Sequence, residues 1–241
     1  MVKTDSQASP AGEASSPAPN VQLETVSTVQ AAANALREQI LDGHIEPGAR
    51  LRETEFAERL GIARHSFRAA AQILIAEGLL VREPNRGVHV PVFDPDDLID
   101  VFRLRIALEL EAVRLVVATG EVPEGAAESV RELSGVGDEA PWRAVVEPDM
   151  RFHRAIIDAA GSQRLARAYS SVQSEILLCL VQLRPYYHRP AEVAAEHEEL
   201  IAAIRAGDPK RAEELFRVHL ADAADNLTQA WQQQTGEKVI V

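Results

Sequence analysis

The sequence is poor in the residues on which redox and membrane proteins depend. One cysteine in 241 residues rules out an internal disulfide, and that residue, Cys179, lies in the apolar run "ILLCLV", which suits a buried, inert thiol. No apolar run approaches the roughly 18 residues of a bilayer span. The opening stretch "MVKTDSQASPAGEASSPAPN" lacks the apolar segment of a secretory signal, so a cytoplasmic setting is expected. Also missing are HExxH, a glycine-rich phosphate loop and a nucleophile elbow, which removes the usual sequence marks of a hydrolase or nucleotide-binding enzyme. Positive charge is scarce too: the formal net charge is -12, which as a bulk figure argues against nucleic acid.

Attraction to phosphate is a local field, however, so charge has to be read by segment. Residues 26–92 carry eight arginines and are close to neutral, whereas most of the excess acid lies in residues 93–241. No Asp or Glu occurs from Leu60 to Ala76, yet Arg64 and Arg68 stand there four residues apart.

Residues 1–24, rich in Ser, Ala and Pro, are expected to form a disordered tail. "TVQAAANALREQILDG" is a helical run ended by Gly43, and "HIEPGARL" is a turn, because Pro47 and Gly48 break helix and strand alike. Short helices are predicted over about 53–60, closed by Gly61, and about 64–77, closed by Gly78. In the second, Phe67, Ala70, Ala71 and Leu74 face inward at helical spacing, leaving Arg64, His65, Arg68 and Gln72 on the other side. "LLVREPNRGVHVPV" then reads as a β-hairpin around "EPNRG".

The predicted fold is therefore mainly α: a winged helix-turn-helix with a small hairpin wing over 25–92, then an all-α bundle over 93–234 and a tail at 235–241. Asp94 as N-cap and Pro95 at the first helical position mark the start of the second part. Its helices are predicted at about 95–119, 122–134, 140–160, 162–184, 190–206 and 208–234.

In a helix-turn-helix the second helix enters the major groove with its N-terminal residues on phosphates and base edges, and residues 64–68, including His65, occupy that position. Arginine suits it because the planar fork can bond guanine O6 and N7 together. Arg86, at the hairpin tip, could reach the backbone or minor groove. Spacing alone serves a solvated helix face equally well.

In the bundle, three histidines sit on apolar stripes: His153 with Ile156 and Ala160, His197 with Val193, Leu200, Ile201 and Ile204, and His219 with Leu215, Phe216 and Ala223. Any one alone reads as a core histidine bonded to backbone. Together with Asp149, one turn before His153 on the same helix face, they suit a divalent metal; imidazole with carboxylate fits Zn, Mn, Fe, Ni or Co without choosing among them. Arg105 lies on the face of Leu98, Val101 and Ala112. It could turn inward to clamp a carboxylate, or pair with Glu109 in solvent at i+4.

Residues 35–90 resemble the DNA-binding domain of GntR-type transcription regulators through "LR..IL.G.I.PG..L.E", "LGIARHSFR" and "EGLLVREPNRGVHV". That resemblance implies operator contacts at Arg64, Ser66, Arg68 and, in the wing, Gly87. The chain departs from the family pattern at Ala63, where Ser or Thr is usual, at His65, usually Thr, and at "AAA" over 69–71. Residues 94–230 resemble the helical FadR C-terminal (FCD) effector domain, in the FadR/VanR branch that carries a metal centre, through "DMRFH", "EHEELIAAIRAGD" and "AEELFRVHLADA". It implies one metal ion per chain on Asp149, His153, His197 and His219, with open positions facing a pocket for a small carboxylate effector; Arg105 matches the "R..LE" signature.

The expected function is thus an effector-responsive transcription regulator, a repressor that binds a palindromic operator as a homodimer. A regulator in which the ion itself is the signal, and a metal-dependent enzyme, are the alternatives.

Overall fold

Helices form where an apolar repeat coincides with a start and a stop signal, and this chain supplies both almost everywhere. In the computed structural model, which describes residues 27–182 and 189–236, the N-terminal part consists of α1 (Thr28–Leu41), α2 (Glu53–Arg59), α3 (Arg64–Ala76), β1 (Val81–Glu83) and β2 (Gly87–His89). Ser27 caps α1 by accepting from the Gln30 amide, 3.1 Å. Ala32, Ala33, Leu36 and Ile40 make the buried stripe of α1, and Phe67, Ala70, Ala71 and Leu74 that of α3. The expected tails at 1–24 and most of 235–241, and the end of the helix expected to reach 184, lie outside the described residues.

The two strands of the wing pair antiparallel, Arg82 opposite Val88, and are only three residues each, shorter than the apolar runs suggested. The segment read as a plain turn does more than turn: the Leu51 amide donates to the Val88 carbonyl at 2.8 Å and Val90 to Ala49 at 3.1 Å, so residues 49–51 lie along the free edge of β2.

The C-terminal part is a bundle of α4 (Pro95–Val117), α5 (Glu124–Ser134), α6 (Arg143–Ala159), α7 (Gln163–Gln182), α8 (Pro190–Ala206) and α9 (Pro209–Thr235). Asp94 and Asp97 form a reciprocal capping box at the start of α4. "AGDPK" ends one helix and opens the next: Gly207 takes the left-handed conformation that closes α8, and Asp208 caps α9 ahead of Pro209. α4 lies along α9 and also touches α6 and α7, which makes it the central helix. No described helix is long and apolar enough to cross a membrane.

One continuous apolar core runs from α1 through the hairpin into the bundle. Two polar contacts reinforce the junction. Arg143, at the start of α6, donates to Glu38 and Asp42 of α1 at 2.6 and 2.8 Å, and the Gln182 amide group donates to the Pro91 carbonyl. Gly78 is needed twice over there: its φ is +79°, and a Cβ would stand 3.1 Å from Cγ of Glu175 on α7.

Ala63 is the N-cap of α3, in extended conformation and with no side-chain cap. Replacing it with a residue that caps, Ala63→Ser, should stabilise the protein by about 1 kcal/mol, read as a raised denaturation midpoint. An unchanged midpoint would mean that the first amides of α3 already have their acceptors.

Candidate functional site

Five helices of the bundle deliver polar side chains to one buried point. Asp149 and His153 come from α6, one turn apart on the same face, His197 from α8 and His219 from α9. One ligand atom from each lies within 4.8 Å of all the others. Bonds of about 2.0–2.2 Å to a zinc-like ion place two donors at most about 4.4 Å apart, so a contraction of a few tenths of an ångström would close the set.

The outward nitrogens fix the protonation of the rings. His197 Nδ1 stands 2.7 Å from the Val193 carbonyl, His153 Nδ1 2.6 Å from Glu109 Oε2, and His219 Nδ1 3.1 Å from Glu196 Oε2. A carbonyl and two carboxylates can only accept, so each neutral ring carries its proton on Nδ1 and turns a bare Nε2 lone pair inward. Those lone pairs meet other acceptors: His197 Nε2 is 3.1 Å from Asp149 Oδ1, and His153 Nε2 is 3.3 Å from His219 Nε2. His197 Nε2 and Asp149 Oδ2 are buried without a hydrogen-bond partner. Four electron-rich atoms converging in this way suit a cation, and the donor set is one that holds divalent transition metals.

The surroundings are dry. Phe152 stands edge-on to His153 and His197, and Phe216 stacks behind it. Burial pushes the His153 imidazolium down to about 4, more than its Glu109 partner can offset, and burial also lowers His219. Burial thus favours the neutral form of His153 and His219, the form a metal requires.

Beneath the four ligands lies an ion pair whose depth was not foreseen. Arg105 is 1% exposed and Glu109 fully buried, and Arg105 Nε donates to Glu109 Oε1 at 2.7 Å. Arg105 thus pairs with Glu109 at i+4, but inside the protein rather than in solvent, and its second terminal nitrogen is left buried without a partner. Glu109 also accepts from the Tyr169 hydroxyl, 3.3 Å. Burial opposes its charge, but His153 and Arg105 together hold the carboxyl down to about 2. Arg105, Asp149, Glu196, His219 and Asn226 wall a cavity of about 20 Å³, room for little more than one water. From the sequence Glu109 stood only as a solvent partner for Arg105, and Glu196 was not singled out. The signal was there for Glu109, an acid in the middle of the apolar stripe of α4, whereas Glu196 shows nothing until α9 lies against α8.

The second group of candidates lies on the opposite part of the molecule. Arg64, His65 and Arg68 are exposed on one side of α3, as expected. Ser66 is not with them: its side chain is buried next to Phe67. Arg86 is exposed at the hairpin tip, 3.5 Å from Glu83. Gly87 has φ +82°, and a Cβ there would stand 3.2 Å from Arg50 Nε, so glycine lets that guanidinium lie flat on the wing. Arg50, Arg52 and Arg82, which charge counting did not single out, line a groove of about 600 Å³ with Arg68 and Gly87. Cys179 is buried, and burial raises its thiol far from the thiolate range.

Comparison with known proteins fits both halves. Residues 28–90 match the family described as bacterial regulatory proteins, gntR family, and residues 100–222 match the FCD domain. The chain belongs to the GntR family and carries an FCD domain. The regulator is 31% identical to a probable D-xylose utilization operon transcriptional repressor of Paenarthrobacter nicotinovorans, over 76% of this chain and 81% of that one. It is 27% identical to the HTH-type transcriptional repressor GlaR of Escherichia coli, over 81% and 93%. A putative GntR regulator from Rhodococcus sp. RHA1 superposes with TM-score 0.73 at 28% identity, covering 85% of this chain and 99% of that one. The Zn2+-bound FCD domain of TM0439 shares the fold, with TM-score 0.50 at 22% identity over 59% of this chain and 99% of that domain. The family and these relatives are transcriptional regulators that bind DNA, not enzymes.

Glu109 orients both His153 and Arg105. Glu109→Gln should lower the affinity of the four-residue cluster for Zn2+ by 10- to 100-fold, on the order seen when such outer partners are changed, measured by competition with a chromophoric chelator. Full retention of affinity would show that the His153 ring is held by other contacts.

Proposed function

We propose that this regulator is a ligand-responsive repressor, working in the cytoplasm as a homodimer on a palindromic operator. Two units divide the work: residues 25–92 read DNA, and residues 93–234 bind the signal and pair the subunits. Arg64, His65 and Arg68 on α3, with Arg86 and Gly87 in the wing, meet the operator; Ser66, buried in the first turn of α3, is not exposed to it as the family motif implied. Two-fold symmetry supplies a second reading helix about one DNA turn away, which a single copy lacks.

Asp149, His153, His197 and His219 hold one divalent ion per chain, of the Zn, Ni, Mn, Fe or Co class. The observation that carries this reading is the inward convergence of three Nε2 lone pairs and a carboxylate, with every Nδ1 proton already engaged. The ion supplies positive charge and open coordination positions. Arg105, with one terminal nitrogen unpartnered at the same cavity, adds a second cation for a small carboxylate effector. Binding the effector in this small cavity requires its walls to part. Because α6 carries Asp149 and His153 and also Arg143, movement there reaches Glu38 and Asp42 on α1 directly. A coupling of about 1–3 kcal/mol changes operator affinity by roughly 5- to 150-fold.

The small volume of the cavity also favours a second reading, in which the ion is the signal. Dialysis separates the two: a resident ion survives it, whereas a sensed ion leaves and takes operator affinity with it.

Removing one of the two fully buried ligands by His197→Ala should reduce metal per chain to a small fraction of the parent value by elemental analysis; an undiminished content would refute the site. Arg64→Ala should abolish specific operator footprints while leaving the dimer folded, and unaltered footprints would remove α3 as the reading element. If a carboxylate is the effector, Arg105→Ala should shift its dose response for DNA release to higher concentration, with no shift counting against Arg105.

A further inference from the structure

Arg68 and Glu53 form an exposed ion pair of a kind that contributes little to stability. The guanidinium is 65% exposed and Glu53 32%, with Arg68 Nε donating to Glu53 Oε2 at 2.8 Å. What matters is which nitrogen is used. A guanidinium has two donor edges: the side formed by Nε with one terminal nitrogen, and the end formed by Nη1 and Nη2. Glu53 occupies the side, and among the described residues the end has no protein acceptor. The end is the edge that can donate two parallel hydrogen bonds to guanine O6 and N7.

Glu53 is placed to do this by its own helix. It is the first residue of α2, where an acid is favoured by the helix's positive end. Leu51, two residues before it, is tied to β2 through the Val88 carbonyl, which holds the start of α2 against the wing. Arg64 from α3 and Arg82 from β1 also act on the Glu53 carboxyl, which the Arg68 hydrogen bond holds below its usual range. Glu53 thus lies close to cations from the recognition helix and the wing, in a groove lined by Arg50, Arg52 and Arg82 and also by Glu55 and Glu58.

We propose that Glu53 is a specificity-determining positioning residue: it grips Arg68 by Nε, so that the Nη1 and Nη2 edge is presented for base reading before DNA arrives. The proposal rests on the reading of Arg68 as an operator contact. A free arginine side chain carries about 2 kcal/mol of rotamer entropy, much of which must be lost to read a base; Glu53 removes part of that cost beforehand. The same carboxylate repels phosphate, so it lowers affinity for DNA of any sequence while sharpening the choice of base.

The test uses the full-length protein and selection from a pool of randomised DNA duplexes, comparing the parent with Arg68→Ala, Glu53→Ala and Glu53→Gln. Arg68→Ala identifies the base position that Arg68 reads. At that position Glu53→Ala should lose about tenfold in preference, while its affinity for a non-operator duplex rises. Glu53→Gln keeps an acceptor oxygen on an equally long side chain and should recover part of the preference, which a role limited to charge would not allow. It also serves if Glu53→Ala frays α2. A Glu53→Ala protein that keeps the parent's full preference at the Arg68 position overturns the proposal alone. If Arg68→Ala leaves every base preference unchanged, the operator role of Arg68 fails and the proposal falls with it.

Discussion

A buried, ionised Glu109 is the constraint around which the bundle is arranged. An isolated carboxylate in a dry interior is costly, and the cost is met only by partners placed on all sides. Three helices supply them: Arg105 from α4 itself, His153 from α6 and Tyr169 from α7. Each partner is held in one orientation by that single acceptor. The orientation of His153 then decides where its Nε2 points, and so whether a fourth and fifth helix, carrying His197 and His219, can complete the cluster. A buried ion pair is weak grounds for stability; here its effect is to fix geometry.

The same helix that presents Asp149 and His153 begins at the junction with the DNA-reading part. Arg143 is about two turns from Asp149 along α6, and its guanidinium bridges Glu38, Asp42 and Glu147. α6 therefore carries one polar cluster at its first residue and another at its middle, with Pro148 between them, and the continuous apolar core packs along it. At the far surface another carboxylate, the half-buried Glu53, meets an exposed Arg68. One side-chain chemistry thus serves in three settings: the buried Glu109 sets a ring, the exposed Glu38 and Asp42 join two parts, and the half-buried Glu53 aims a cation.

Much of this was legible in the sequence because the punctuation is strong. Asp94-Pro95, Gly207-Asp208-Pro209 and the glycines at 43, 61 and 78 leave little freedom about where helices start and stop. The inward histidines were legible as well, since a polar residue on an apolar stripe is visible as an exception to the pattern. Less legible were features that depend on another element's position. Ser66 was grouped with Arg64 and Arg68 by its place in a motif, yet it points inward, because a residue two positions from Arg64 and two from Arg68 falls near the opposite side of a 3.6-residue turn. Arg50 joined Arg52, Arg68 and Arg82 in one groove only through the alignment of residues 49–51 with β2.

By itself, then, the sequence determined what is local or periodic: the helices, their caps, the wing, the four ligand candidates and the cations of α3. Helix formation and burial are governed by spacing along the chain, and spacing is what a sequence records. Only the tertiary structure decided which acceptor sits behind each imidazole and that Arg105 pairs with Glu109 inside rather than in water. It also decided which edge of Arg68 is left free. Glu109 behind His153, Glu196 behind His219 and Glu53 beside Arg68 are 15 to 44 residues from their partners, and the Arg105–Glu109 pair at i+4 is inside only because other helices cover α4; no periodicity along one chain specifies where two helices meet.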